Sequence, residues 1–234
     1  MEILAIVPAR GGSKGVPRKN LRKIGRQSLL ERSIGAARKG VPGIRVIVST
    51  DDHEIAAEAV RCAAEVPFLR PVELARDDTP TLPVLQHVLS ELRRQERYAP
   101  DLVVVLQPTS PLRRPESVAA GVELLMNSKT TDSVLGVCAE EHPPHWLKVI
   151  GTDGYLTDFI EGGSGLTRRQ DAPPVYRVNG ALYVTRSCWI AEEGRLLGNR
   201  VLPLVMSAEE SVDVDSELDL TVAEAVWEHR KGGG

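Results

Sequence analysis

Short apolar runs alternate with segments of helical spacing along this chain, and that alternation constrains the fold more than any other feature. The spacing predicts strands over 3–8, 45–49, 101–106, 133–138, 175–185 and 201–206. Helices are predicted over 28–39, 53–63, 82–97, 116–127 and 187–192. Gly40, Pro42 and Gly43 end the first helix, and Val66–Arg70 reads as a short extended piece. Thr50 or one of Asp51 and Asp52 caps the second helix. The unbroken β-branched run before Leu106 suits a central strand buried on both faces. Pro203 places the last strand at an edge. This order of elements predicts an α/β fold with a mostly parallel sheet.

The texture changes over 140–175, which is rich in glycine, proline and charge. Residues 147–150 and 155–159 flank Gly151-Thr152-Asp153-Gly154 and read as a β-hairpin. The 234 residues then divide into a core, 1–139 with 176–234, and an arm, 140–175. Trp146, Leu147, Val149, Ile150, Tyr155, Leu156 and Phe159 give the arm an apolar side. A lone hairpin is marginal in water, so that side calls for a partner surface. The net charge of -3 argues against a general affinity for nucleic acid. Cys62, Cys138 and Cys188 are too far apart for a metal pattern or a disulfide framework, which suits the reducing cytoplasm. No signal-peptide pattern or membrane-length apolar run is present, and 231–234 reads as a frayed tail.

Three stretches carry chemistry. After the first strand, Gly11, Gly12 and Gly15 let the backbone bend tightly beside the cations Arg10, Lys14, Arg18 and Lys19. Such a loop suits polyphosphate, although a solvated basic turn has the same composition. It is neither a Walker A loop nor Gly-x-Gly-x-x-Gly. Pro108 and Pro111 stiffen the turn from Gln107 to Arg113, which follows a strand's carboxyl end, where open α/β sheets bind ligands. Asp213 and Asp215 alternate with valines, so an extended chain points both carboxylates one way. Two such carboxylates repel unless a cation joins them, and hard oxygen ligands suit Mg²⁺. The competing reading makes Asp215 or Ser216 a helix cap, with Glu217 and Asp219 favouring the helix start. It leaves Asp213 unexplained. The charged loop 70–81 needs no ligand by itself, and Thr81 can cap the helix after it.

Pro8-Ala9-Arg10-Gly11-Gly12-Ser13-Lys14-Gly15, with Pro17 and Lys19-Asn20, closely resembles the signature of the acylneuraminate cytidylyltransferases. The 70–81 loop, Leu106-Gln107-Pro108-Thr109-Ser110-Pro111-Leu112-Arg113 and Arg177-Val178-Asn179-Gly180-Ala181 resemble later segments of that family in the same order. The resemblance implies a three-layer, mostly parallel α/β sheet like that of nucleotide-sugar transferases, with a β-rich dimerisation arm. It implies transfer of CMP from CTP to an acidic sugar of nonulosonic or sialic type, with Mg²⁺, in a homodimer. A substrate hydroxyl would attack the α-phosphorus in line, a reaction that needs alignment and charge neutralisation more than covalent help.

Carried over residue by residue, the nucleotide would lie on Ala9, Arg10, Gly11, Ser13, Lys14, Asn20, Arg70, Thr79, Thr81, Pro108 and Thr109. Arg10, Lys19, Gln107 and Asp213 would serve the reaction itself, and Asp213 and Asp215 the metal. The acceptor would meet Gln107, Ser110, Arg113, His145, Lys148, Arg169, Gln170, Arg177 and Asn179. No general base stands out: a metal-bound hydroxide, an aspartate or no dedicated base all fit. One departure matters. The family's His-Pro-x-Lys reads His142-Pro143-Pro144-His145 here, with Lys148 the nearest lysine. Histidine is mostly neutral where lysine is charged, so the acceptor carboxylate would fall chiefly to Arg169, and N-acetylneuraminate is not expected to be the best acceptor. Another carboxylate acceptor such as a small phosphonate acid, another base, or a nucleotide-binding module without turnover remain alternatives. Intact Arg10, Asp213 and Asp215 speak against the module.

Overall fold

The computed structural model describes residues 1–232; of the expected tail, Lys231 and Gly232 are helical, a correction to the sequence reading, and the last two residues lie outside the described residues. The chain begins with β1 (Ile3–Pro8), a small hairpin of β2 (Lys23–Ile24) and β3 (Gln27–Ser28), and α1 (Leu29–Gly40). Then come β4 (Arg45–Ser49), α2 (His53–Arg61), α3 (Thr81–Glu96), β5 (Leu102–Val105), α4 (Pro115–Met126) and β6 (Ser133–Ala139). The arm holds β7 (Lys148–Ile150) and β8 (Leu156–Asp158). The core resumes with β9 (Tyr176–Arg186), α5 (Ser187–Ala191), β10 (Val201–Met206) and α6 (Glu217–Gly232).

Six strands form one sheet in the order β10-β6-β9-β5-β1-β4. Of these, only β9 runs against the rest. The sheet is therefore mostly parallel, with β5 inside it and Pro203 on its edge, as the sequence predicts. Alternation along the strands builds two cores. Ala5, Val7, Val46 and Val104 face Leu30, Ile34, Ile55, Val118 and Val122 of α1, α2 and α4. Leu4, Ile6, Ile47, Val103 and Val105 face Leu85, Val88, Leu92 and Ile190 of α3 and α5. Both faces are covered, so the fold has three layers, and their strand carboxyl ends are the open place for a ligand.

Caps set where the helices start. The Ser28 hydroxyl accepts the Glu31 N–H at 3.0 Å. Asp52 accepts those of Glu54 and Ile55 at 2.8 and 3.0 Å, so Asp52 is the cap of α2. Thr81 is the first residue of α3 with Pro80 at the cap position, so its hydroxyl caps nothing. The cap of α4 comes from far along the chain: Glu210 accepts the Arg114 N–H and the Ser117 hydroxyl. Val66–Arg70 forms no strand; the pairing beside it is an isolated bridge of the preceding Glu65 with Ile47. The hairpin of β2 and β3 was not anticipated, because strands of two residues leave no periodic signal.

A third cluster joins Ile24, Leu29, Leu112, Val214, Leu220 and Ala223, with Val212 and Trp227 against it. It straps the connection before α6 onto the carboxyl end of the sheet. The arm leaves the core where β6 and β9 pair at Ala139 and Tyr176. Its two strands pair only with each other, as expected of a hairpin. Ile150, Tyr155, Leu156 and Phe159 stand exposed on it. The three cysteines are free thiols. Among the described residues, no helix is long and apolar enough to cross a membrane.

Candidate active site

A cleft of about 480 Å³ opens at the carboxyl ends of β1 and β5. Arg10, Ser13, Lys14, Lys19 and Asn20 line one side of it, and Gln107, Pro108, Thr109, Asp213 and Asp215 line another. Arg70, Thr79 and Thr81 also line it. Segments some 200 residues apart in sequence thus meet around one space.

Local bonding explains the shape of the basic loop. Asn20, nearly buried, donates from Nδ2 to the Arg10 carbonyl at 2.8 Å and ties the loop across its base. The Gly11 N–H donates to Asp51 Oδ1 at 2.9 Å. The Ala9 N–H donates to the Ser49 carbonyl at 2.9 Å. These two donors are spent inside the protein, so Gly11 and Ala9 shape the loop and their N–H groups are not offered to phosphate. Arg18 turns out of the cleft to pair with Glu54. Of the loop's cations, Arg10, Lys14 and Lys19 remain in the lining. Gly15 is there for space: a Cβ on it would lie 2.1 Å from the Asp215 carbonyl oxygen.

The carboxylate pair behaves as its spacing predicts. Val212 and Val214 sink into the third cluster, and Asp213 and Asp215 line the cleft. The Val214 N–H donates to the Thr109 carbonyl at 2.8 Å, which joins this segment to the proline turn. Lys19 Nζ pairs with Asp215 Oδ1 at 2.9 Å. Desolvation by the surrounding protein pushes the Asp213 carboxyl up; a hydrogen bond from Thr109 opposes this, and the Asp215 charge adds to it. A carboxylate held at such a disadvantage beside a second one is a fitting donor set for a hard divalent cation. Helix capping falls to other groups: the Asp219 carboxylate accepts the N–H groups of Asp215 and Ser216, and its own N–H donates to the Ser216 hydroxyl. Asp213 takes no part in it. Another acidic group, Glu31 and Glu58 with Cys62, lies away from the cleft. There Arg61 pairs with both carboxylates, at 3.2 and 2.8 Å, and takes the place a cation would fill.

Arg70 is buried, with Nε donating to the Ser49 hydroxyl at 3.1 Å, and burial draws it down to about 10, still charged at neutral pH. Gln107 Oε1 rests against Gly180, whose φ of +69° and missing side chain leave it room.

Most of the expected acceptor set is elsewhere. Ser110, Arg113 and Asn179 are buried and serve the framework, a correction to the sequence reading. The Ser110 hydroxyl donates to the Asn179 carbonyl at 3.4 Å. Arg113 donates to the Gln107 carbonyl at 2.5 Å and to the Ser33 hydroxyl at 3.2 Å, and burial lowers it to about 9. Asn179 donates to the Ser211 hydroxyl at 2.9 Å and so braces the segment that carries Asp213. Arg177 leans on the Ser211 carbonyl and Glu140, outside the cleft. Lys148 is committed to Asp158 and the Ser164 hydroxyl within the arm. His145, Arg169 and Gln170 also sit on the arm, and none of the three lines the cleft. Of the acceptor residues only Gln107 lines it. Sequence reasoning missed Asp77, which also lines it, and Asp51 behind the loop. Nothing but long-range pairing marks either one.

Residues 4–186 match the family model described as Cytidylyltransferase. The chain belongs to the cytidylyltransferase family. Over 229 residues this cytidylyltransferase is 33% identical to the CMP-N,N'-diacetyllegionaminic acid synthase of Legionella pneumophila, covering 97% of each chain. It is 30% identical to the N-acylneuraminate cytidylyltransferase of Escherichia coli O18:K1:H7, over 95% of its own length and 51% of that protein. In fold it is similar to a CMP:2-keto-3-deoxy-manno-octonic acid synthetase solved with CTP, with a TM-score of 0.72, 17% identity, and 98% and 100% of the two chains covered. The activity that goes with this membership is CTP-dependent nucleotidyl transfer.

Proposed function

We propose that this cytidylyltransferase transfers CMP from CTP to a nonulosonic acid, a sugar acid of sialic or legionaminic type, and releases pyrophosphate with Mg²⁺ bound. One observation carries the reading: three cations of the basic loop and a carboxylate pair border the same cleft, Arg10, Lys14 and Lys19 with Asp213 and Asp215. The cations hold the triphosphate, and Arg10 neutralises charge as it develops at the reaction centre. Asp213 and Asp215 would hold Mg²⁺, which when bound screens the phosphates and polarises phosphorus. Arg70, Thr79 and Thr81 border the part of the cleft where cytosine fits, and Gln107 orients the acceptor. The printed name of the Legionella relative favours a legionaminic-type acceptor. The free thiols suit a reducing compartment, and we assign the enzyme to the cytoplasm.

The acceptor side is thin within a single chain, since the arm's residues do not line the cleft. A homodimer supplies them. The arm's exposed apolar side packs on a second copy and brings Arg169 to that copy's cleft; among the described residues Arg169 makes no ion pair. Light scattering at micromolar concentration should then give twice the chain mass. A fully active monomer would overturn this part.

Pyrophosphate release with Mg²⁺, across nucleotides and acids, tests the whole reading. CTP should outcompete UTP, ATP and GTP, and a legionaminic-type acid should outperform N-acetylneuraminate. Arg169→Ala should raise the acceptor KM and leave the CTP KM nearly unchanged. A purine preference would sink the base assignment. N-acetylneuraminate as best acceptor would sink the selectivity claim, and an unchanged acceptor KM the role of Arg169.

A further inference from the structure

The cations assigned above to the triphosphate already hold an anion. Asp77, part-way along the loop between Arg70 and Thr81, places one carboxylate oxygen 2.8 Å from Arg10 Nη2 and the other 2.7 Å from Lys14 Nζ. Both pairs lie at the cleft, where all three residues are lining groups. A carboxylate spanning two cations occupies the positions that two phosphate oxygens would take. We propose that Asp77 is a built-in competitor for the nucleotide's phosphates, one that releases Arg10 and Lys14 when a polyphosphate binds and recaptures them as pyrophosphate leaves. It thereby sets nucleotide affinity and product release. The inference rests on the reading of this cleft as the triphosphate site.

The physics favours exchange over a permanent lock. The Asp77 and Lys14 side chains are 39% and 83% exposed, and ion pairs that open to water are weak. Pyrophosphate brings more charge and more acceptor oxygens, and its bonds to arginine and lysine are charge-assisted at both ends. The loop is anchored at its base, where the Arg70 N–H donates to the Thr50 carbonyl at 2.7 Å. Near Asp77 it is held by little more than a turn, with the Thr79 N–H donating to the Arg76 carbonyl at 3.3 Å. Asp77 can swing away without disturbing the sheet. Thr79 rides on the same loop, so the movement links occupation of the phosphate site to a residue assigned beside the base.

The test is calorimetric titration of inorganic pyrophosphate, in chelator, into wild type, Asp77→Asn and Asp77→Glu. Asp77→Ser repeats the charge removal with a smaller side chain, should the asparagine pack badly. The Asn and Ser variants should bind pyrophosphate about fivefold more tightly or better, the size expected from losing two exposed pairs. Asp77→Glu should stay near wild type. In turnover the same two variants should be inhibited by pyrophosphate at proportionally lower concentration. Binding that is unchanged or weaker in both, with wild type still binding, overturns the proposal alone. No pyrophosphate binding by any of the four proteins overturns the phosphate reading of the cleft beneath it.

Discussion

Asp213→Asn is expected to lower kcat at least tenfold in Mg²⁺, on the order of 1.4 kcal/mol or more of lost transition-state stabilisation. The same variant should melt no earlier than wild type without metal, and at neutral pH it should melt later. The reason lies in the cleft, where desolvation and the neighbouring Asp215 hold the Asp213 carboxyl above its ordinary range. A carboxyl raised on folding binds its proton more tightly in the folded state. Its contribution therefore falls as pH rises through the ordinary carboxyl range, and the full penalty stands above the folded value. Asparagine removes that penalty, so its gain should be visible at neutral pH and vanish in acid. Calorimetric melting across pH, beside pyrophosphate-release kinetics, checks both halves. A variant that keeps its activity and melts much earlier would show that Asp213 is structural.

Gly15→Ala should lower turnover on the order of 100-fold, the scale on which a displacement of about 1 Å affects an aligned reaction. The added Cβ would meet the Asp215 carbonyl oxygen at 2.1 Å, and that atom is backbone. Either the basic loop or the carboxylate segment must retreat, and the Lys19–Asp215 pair opens with it. Stability should change little, because Gly15 is exposed and the two cores lie elsewhere. Near-wild-type kcat with an unaltered melting curve would contradict this account of Gly15.

The parts of the site that were legible in the sequence are those set by local rules. The valines at 212 and 214 bury themselves, and alternation alone then sends Asp213 and Asp215 the other way. Asp219 and Ser216 satisfy the start of α6 between them, so Asp213, the residue that the capping reading left unexplained, takes no part in the cap. The glycine-rich loop and the proline turn both sit at strand carboxyl ends because parallel strands place their exits on one side. Less legible was which member of a polar run faces the ligand. Arg18 looks equivalent to its neighbours in sequence, yet its backbone takes φ of +54° and its side chain goes to Glu54. Ser110, Arg113 and Asn179 lie in matching motifs, but Ser110 donates to the Asn179 carbonyl, Arg113 to the Gln107 carbonyl and Ser33, and Asn179 to Ser211.

By itself the sequence determined the order of the six sheet strands and the helices between them, the edge position of Pro203, the hairpin of the arm and the direction of the two carboxylates. Each follows from side chains within a few residues of one another, through periodicity, capping or the missing proline donor. Only the tertiary structure decided that Asp51 takes the Gly11 donor, that Asp77 lies across Arg10 and Lys14, and that Asn179 braces the segment that carries Asp213. Those partners are 32 to 67 residues apart. A charge or a donor chooses among many possible partners, and packing of the three layers, not sequence distance, leaves one within reach.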